Sequence, residues 1–332
     1  MSLSKVFSLI SFNRFMLIPF MIISLMMPAC MPTPSIMKMK PEYYPQCYQP
    51  FEDLEQAKRD LISRTLIGAG LGAVSGAVVG GVATGNVKGA AIGAGIGALG
   101  GALVGYVHAK RSQYKNDKER MRSYQADMNA DMRNASRVEQ YAMASLQCYT
   151  REFNTLLKKY KKGELSKEEV QARYKEIREG MSYLAEILKD SKDKLVQRDE
   201  EYREAFAFEA RTKNRPAPEV ASLEKKREAA AKRRPSANVK DDGSRELRKV
   251  SAEANTRKVQ AERNAQKVEK QEAAMVAAAE KKKGTSSIKT VSKYYEKQYL
   301  NSVVSLEEAE NVNDRTLAAM SVAAKHAGID MV

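Results

Sequence analysis

The 332-residue chain has no Trp, only two His and three Cys, and its aromatic residues amount to 7% of the total. A chain so poor in large side chains cannot supply the repeated aliphatic strands of a large α/β or (β/α)8 enzyme. The two histidines, His108 and His326, stand outside any HExxH, Ser/His/Asp order or Cys/His metal spacing, and no CxxC pair occurs. The adjacent carboxylates Glu168 and Glu169 sit at a helix start. With no nucleophile beside a base and no metal or cofactor motif, the expectation is a non-enzyme without cofactors. What the chain has instead is charge and glycine. Lys plus Arg number 56 against 41 Asp plus Glu, a net charge of +15. Of the 19 glycines, 14 lie between Gly68 and Gly105.

The N-terminus has the plan of an export signal. Lys5 and Arg14 form a positive region, Met16 to Met27 an uncharged apolar run, and Pro28, Ala29 and Cys30 follow. That run is too short for an ordinary spanning helix, which favours cleavage. Cys47 and Cys148 remain as an even pair, able to close a disulfide in an oxidising compartment or to stand as independent thiols. Residues 30–56 hold half of the ten prolines and read as an extended tether, with Tyr43, Tyr44 and Tyr48 placed for a membrane interface.

Between Thr65 and Val107 the only charge is Lys88. Gly68, Gly72, Gly76 and Gly80 recur every fourth residue, and after the turn signal Thr84-Gly85-Asn86 so do Gly89, Gly93, Gly97, Gly101 and Gly105. This spacing places each row on one helix face, where two backbones can approach closely. In water each glycine would cost about 1 kcal/mol relative to Ala, so tight packing or lipid must compensate. Two helices of about 27 and 28 Å fit a thin bilayer. The expectation is a membrane hairpin over 57–110 that self-associates through its glycines. Lys58 and Arg59 would flank it on one side with Lys110 and Arg111. Two matches to G-x-G-x-x-A, at Gly68 and Gly93, lack the preceding strand and later acidic residue of a dinucleotide site.

These segments, GAGLGAVSGAVVGG and GAAIGAGIGALGGALVG behind Cys30, resemble the glycine-zipper outer-membrane lipoproteins of the surface-antigen type. The resemblance implies a signal peptide over 1–29, acyl chains on Cys30, outer-membrane sorting because Met31 is not Asp, and a role in envelope integrity. The long charged C-terminal part departs from that family.

Beyond the hairpin the apolar steps are three and four. Met121, Tyr124, Met128, Met132, Ala135, Val138, Ala142, Leu146, Tyr149, Phe153, Leu156 and Tyr160 form one stripe. Lys161-Lys162-Gly163 ends it, and the capping-box match Ser166 to Glu169 opens a second stripe running from Val170 to Phe206. The expected fold is all-α, with an antiparallel coiled-coil hairpin over 111–211 after the membrane hairpin. Residues 212–244 read as a basic linker and 245–332 as charged helices. The first of these has the thin seam Leu247, Ala254, Ala261, Val268 and Met275, as in an exposed helix or a loose coiled coil. At the end one helix carries Ile288 to Leu306, and another begins near Asp314.

Lys225, Lys226, Arg227, Lys232, Arg233 and Arg234 are candidate contacts for an anionic partner. No aromatic stands between Phe208 and Tyr294 to stack on bases, so nucleic acid is not expected. The partners expected in an envelope are membrane lipid, lipopolysaccharide, peptidoglycan, an envelope protein or further copies of the chain. The alternatives are an oligomeric pore or secretion-envelope component, and a binding module for peptidoglycan or another acidic polymer.

Overall fold

The computed structural model describes residues 42–63, 106–107, 109–213, 216, 223–232, 243–280 and 287–329. The expected signal peptide, Cys30 and all nine zipper glycines from Gly68 to Gly105 lie outside the described residues, as do Arg233 and Arg234. Within them the fold is all-α. The helices are α1 (Tyr48–Ser63), α2 (Asp117–Lys161), α3 (Lys167–Arg211), α4 (Leu223–Ala231), α5 (Ser244–Glu280), α6 (Ile288–Tyr294) and α7 (Leu300–His326).

The two long stripes produce α2 and α3. The stripe positions from Met121 to Leu156 in the first, and Val170, Tyr174, Ile177, Met181, Leu184, Leu188, Leu195, Tyr202 and Phe206 in the second, are buried, while Tyr160 at the end of the first is half-buried. Asn116 caps α2 by accepting from Lys118 N–H. Gly163, at φ +70°, closes its C-terminus, with Gly163 N–H donating to Tyr160 O and Glu164 N–H to Lys159 O. That double bond satisfies two carbonyls that the helix end would otherwise leave orphaned, in a backbone conformation that glycine adopts freely. Ser166 and Glu169 then form the reciprocal capping box that starts α3. The contacts Phe153 with Tyr174, Tyr124 with Phe206 and Arg120 with Glu209 run in opposite senses, so the pair is antiparallel.

This pair is not free-standing. Its most extensive partner is α5, laid along α2. Leu247, Ala254, Ala261 and Val268 are all buried, and the small alanines let the helices approach, so the thin seam belongs to a close-packed core rather than to an exposed helix. Polar pairs flank the seam, including Arg137 with Glu269 and Gln147 with Asn255. Helix α7 packs against α2, α3 and α5 and completes a four-helix body.

Three sequence expectations change. Residues 48–63 are a packed helix, so the tether does not reach residue 56: Pro50 lies in the first turn, where its missing N–H leaves no helical bond unmade, and Phe51, Leu54, Ala57 and Leu61 form a buried stripe. The linker contains α4, anchored by Leu223 and Ala230. No helix starts at Asp314, which lies inside α7. There Asn313 Nδ2 donates to Met181 O, and Thr316 Oγ1 returns to Val312 O. Between α6 and α7 a π turn, Tyr295–Tyr299, brings two tyrosines onto one face, stacked at 5.4 Å and 16°.

Among the described residues no helix is long and apolar enough to cross a membrane.

Candidate functional site

The glycine-rich segment is the part of the chain with the clearest chemical signature, and the structure describes both of its feet. The first foot begins with a carboxylate on α3. Buried Glu176 accepts the backbone N–H groups of Glu42, Tyr43 and Tyr44 at 3.0, 2.7 and 3.1 Å, so three successive donors are held by one side chain. The chain then turns through Pro45–Cys47, where Cys47 is joined to Cys148 of α2 with a Cα–Cα distance of 5.6 Å.

Helix α1 continues along the groove between α2 and α3. Phe51 stacks on Tyr183 at 6.1 Å and meets Tyr149 at 5.7 Å. The Tyr183 hydroxyl donates to Glu55, and Lys58 Nζ reaches Asp190 at 2.6 Å. Partners on α3 advance from Glu176 through Tyr183 to Asp190, so α1 runs parallel to α3.

The second foot begins at Tyr106, the first aromatic residue after the glycines. Its hydroxyl donates to Asp127 at 2.7 Å, and its ring packs on Tyr124 at 5.6 Å and Tyr202 at 6.3 Å. Val107 is buried. Lys110 pairs with the same Asp127 at 2.7 Å, and its ammonium lies 5.6 Å above the Tyr106 ring. Arg111 sits 5.2 Å from the ring of Phe208, which is exposed.

The two feet meet the same region of the body. Asp190 and Tyr202 are twelve residues apart on α3, about 18 Å along its axis. The five residues from Lys58 to Ser63 cover about 7–8 Å of that distance. Ser63, the last described residue before the glycine segment, and Tyr106, the first after it, therefore lie within about 10 Å of each other along the α3 axis. Lys58, Arg59, Lys110 and Arg111 stand around these two points, tied respectively to Asp190, Glu55, Asp127 and the Phe208 ring.

Beneath the second foot lies a buried polar cluster that ties α2, α3 and the π turn together. Tyr202 donates to Asp131 at 2.8 Å, Arg198 holds Glu201 at 2.7 Å, and the Tyr295 hydroxyl donates to Asp199. Burial raises Asp199 to about 6 and the Tyr202 phenol well above its ordinary range. The phenols stay protonated and act as donors to the carboxylates, so the cluster holds the helices in register.

The described basic residues of 225–232 are not gathered on one open face. Lys226 Nζ donates to Glu296 O at 2.5 Å and Asn301 Oδ1 at 3.2 Å, while Arg227 binds Glu307 at 2.8 and 3.3 Å. Lys225 and Lys232 are exposed. Among the described residues no group of His, Cys, Asp or Glu could hold a metal ion. Sequence reading missed Glu176, Tyr183 and Asp127, which look like ordinary surface residues until the fold sets them opposite the two feet.

The sequence profile of the YMGG-like Gly-zipper family matches residues 14–109. The match spans the zipper glycines and ends at the second foot, and the helical body lies outside it. No curated protein and no solved structure matches the chain.

Proposed function

From the glycine-zipper match over 14–109, we propose that the chain is a membrane-associated envelope protein. Its zipper segment enters lipid as a helical hairpin and packs against further copies, and acyl chains on Cys30 add a second anchor. The helical body stands outside the bilayer as a scaffold for an envelope partner, and the outer membrane with a periplasmic body is the arrangement preferred here. One observation carries the reading. Ser63 and Tyr106, the described residues on either side of the zipper segment, dock at nearby levels of α3, with Lys58, Arg59, Lys110 and Arg111 around them. A hairpin needs its two ends side by side, and basic residues at its base suit anionic head groups. The Cys47–Cys148 bond supports an oxidising compartment.

The test is membrane fractionation of the expressed protein with mass spectrometry of its N-terminus and cross-linking of intact membranes. The expected result is an acylated Cys30, recovery in the outer-membrane fraction and cross-linked oligomers. Gly76→Leu and Gly97→Leu should reduce the oligomers without unfolding the body. Recovery of wild-type protein in the soluble fraction would reject the membrane hairpin.

A further inference from the structure

The two feet lie on one face of the body. Cys47 and Phe51 meet Cys148 and Tyr149 of α2, while the partners of α1 on α3 advance from Tyr183 to Asp190. The helical residues 106–107 and 109–113 run the same way. Tyr106 packs on Tyr124 and Tyr202, and Arg111 on Phe208, six residues further along α3. Helix α5 takes another side of α2, through Arg133, Arg137, Gln140 and Gln147. With 3.6 residues per turn, those positions and the set Tyr124, Asp127, Cys148 and Tyr149 centre about 140° apart around the α2 axis, so α5 lies behind the face that carries the feet.

Phe208 stands on the foot face. It is 41% exposed, an unfavourable place in water for an aromatic ring. Arg111 lies over the ring, and Arg211 follows it by three residues on the same side of α3. Among the described residues Arg111, Arg211 and the exposed Lys115 make no ion pair. The nearby acids are occupied, Asp117 by Arg120 and Lys213, and Glu209 by Arg120. The exposed Glu204, one turn before Phe208, leaves the balance positive. An exposed ring among unpaired cations joins the two elements that favour the interface of an anionic bilayer, apolar area and positive charge.

Sequence reach sets how near that interface is. Gly105 is followed directly by Tyr106, and four residues separate Ser63 from Gly68. Consecutive Cα atoms are only about 3.8 Å apart, so a zipper that enters lipid holds the Tyr106 end of this face at the lipid surface. Phe208 lies about 9 Å further along α3 than Tyr202, well within the same surface.

We propose that the foot face of the body lies on an anionic lipid surface, with Phe208 seated among the head groups and Arg111 and Arg211 on their phosphates. The proposal rests on the membrane reading of the zipper segment and adds to it the face, and the residues, by which the body itself meets lipid.

The chain has no Trp, so a single introduced tryptophan reports its own surroundings. The full chain carrying Phe208→Trp or Val259→Trp is reconstituted into vesicles of phosphatidylcholine, with or without phosphatidylglycerol, in which brominated acyl chains act as quencher. Val259, 36% exposed on α5, is the reference behind the foot face. Flotation reports whether the chain enters the vesicles, and quenching reports which face meets lipid. In floated phosphatidylglycerol vesicles the tryptophan at position 208 is expected to emit at shorter wavelength and to be quenched, and the one at 259 to do neither. Arg111→Gln with Arg211→Gln in the Phe208→Trp chain should reduce the quenching without changing flotation. Four results would each overturn the proposal and leave the membrane hairpin standing: floated protein unquenched at 208, equal quenching at 208 and 259, quenching at 208 that is the same without phosphatidylglycerol, or quenching untouched by the double arginine variant. A wild-type chain that does not float would overturn the hairpin and the proposal together.

Discussion

Gly180 of α3 lies against the ring of Tyr149 of α2, so closely that a β-carbon built on it would stand 2.6 Å from Tyr149 Cζ. A glycine inside a long helix is costly, by about 1 kcal/mol relative to Ala. Here it permits the approach of a tyrosine that also touches Tyr44 and Phe51, so one small residue seats the ring on which the first foot rests. Gly180→Ala is therefore expected to destabilise the body by about 1–3 kcal/mol despite better helix propensity. In a Tyr149→Leu background the same change should be neutral or stabilising. Urea denaturation of the four proteins of that cycle measures the difference.

The disulfide joins positions 101 residues apart and fastens residues 42–63 to α2. Cys47→Ala with Cys148→Ala should lower stability by about 2–4 kcal/mol, chiefly by freeing the unfolded chain. The loss should be uneven. Amide exchange in α1 is expected to accelerate far more than exchange in α2, because α1 keeps only its apolar stripe and a few polar contacts.

Glu139 of α2 is buried between α5 and α7, where Arg257 Nη1 donates to it at 3.2 Å and Ser305 Oγ at 2.7 Å, with Glu308 bound to the same arginine. Burial raises its carboxyl from 4.5 to about 7. An acid whose folded value exceeds its unfolded value binds more protons when folded, so stability falls as pH rises between these two values. The body should thus lose on the order of 2 kcal/mol from pH 5 to pH 7 through this group. Glu139→Gln should flatten that slope, as read from chemical denaturation at a series of pH values.

Tyr106 holds the second foot through its hydroxyl and ring. Tyr106→Leu should leave the body folded but loosen residues 106–113, exposing Lys110 and Arg111 to trypsin. Cleavage there is expected to rise several-fold, as for loss of about 1 kcal/mol of local stability. An unchanged cleavage rate would mean that Val107 and Lys110 hold the foot without it.

Periodicity reports which face of a helix is apolar, and a cap reports where it ends, so α2 and α3, their joining loop and the seam positions of α5 were legible along the chain, although the close packing of that seam was not. The glycine spacing and charge pattern likewise singled out the zipper segment. Less was legible where the partner is distant in sequence. Proline density made residues 48–56 look like tether, although the stripe Phe51, Leu54, Ala57 and Leu61 was present, because a stripe has no force until something apolar faces it. Arg227 looked like a free cation until the fold placed Glu307 beside it.

The sequence by itself determined the long helices α2, α3 and α5, their apolar faces and the four-residue glycine repeat, all of which depend on neighbours within a turn or two. Only the tertiary structure decided that the helices form a four-helix body and that the residues flanking the glycine segment on both sides dock on it. Those relations join residues tens to more than a hundred positions apart, and no local pattern encodes which buried surfaces find each other.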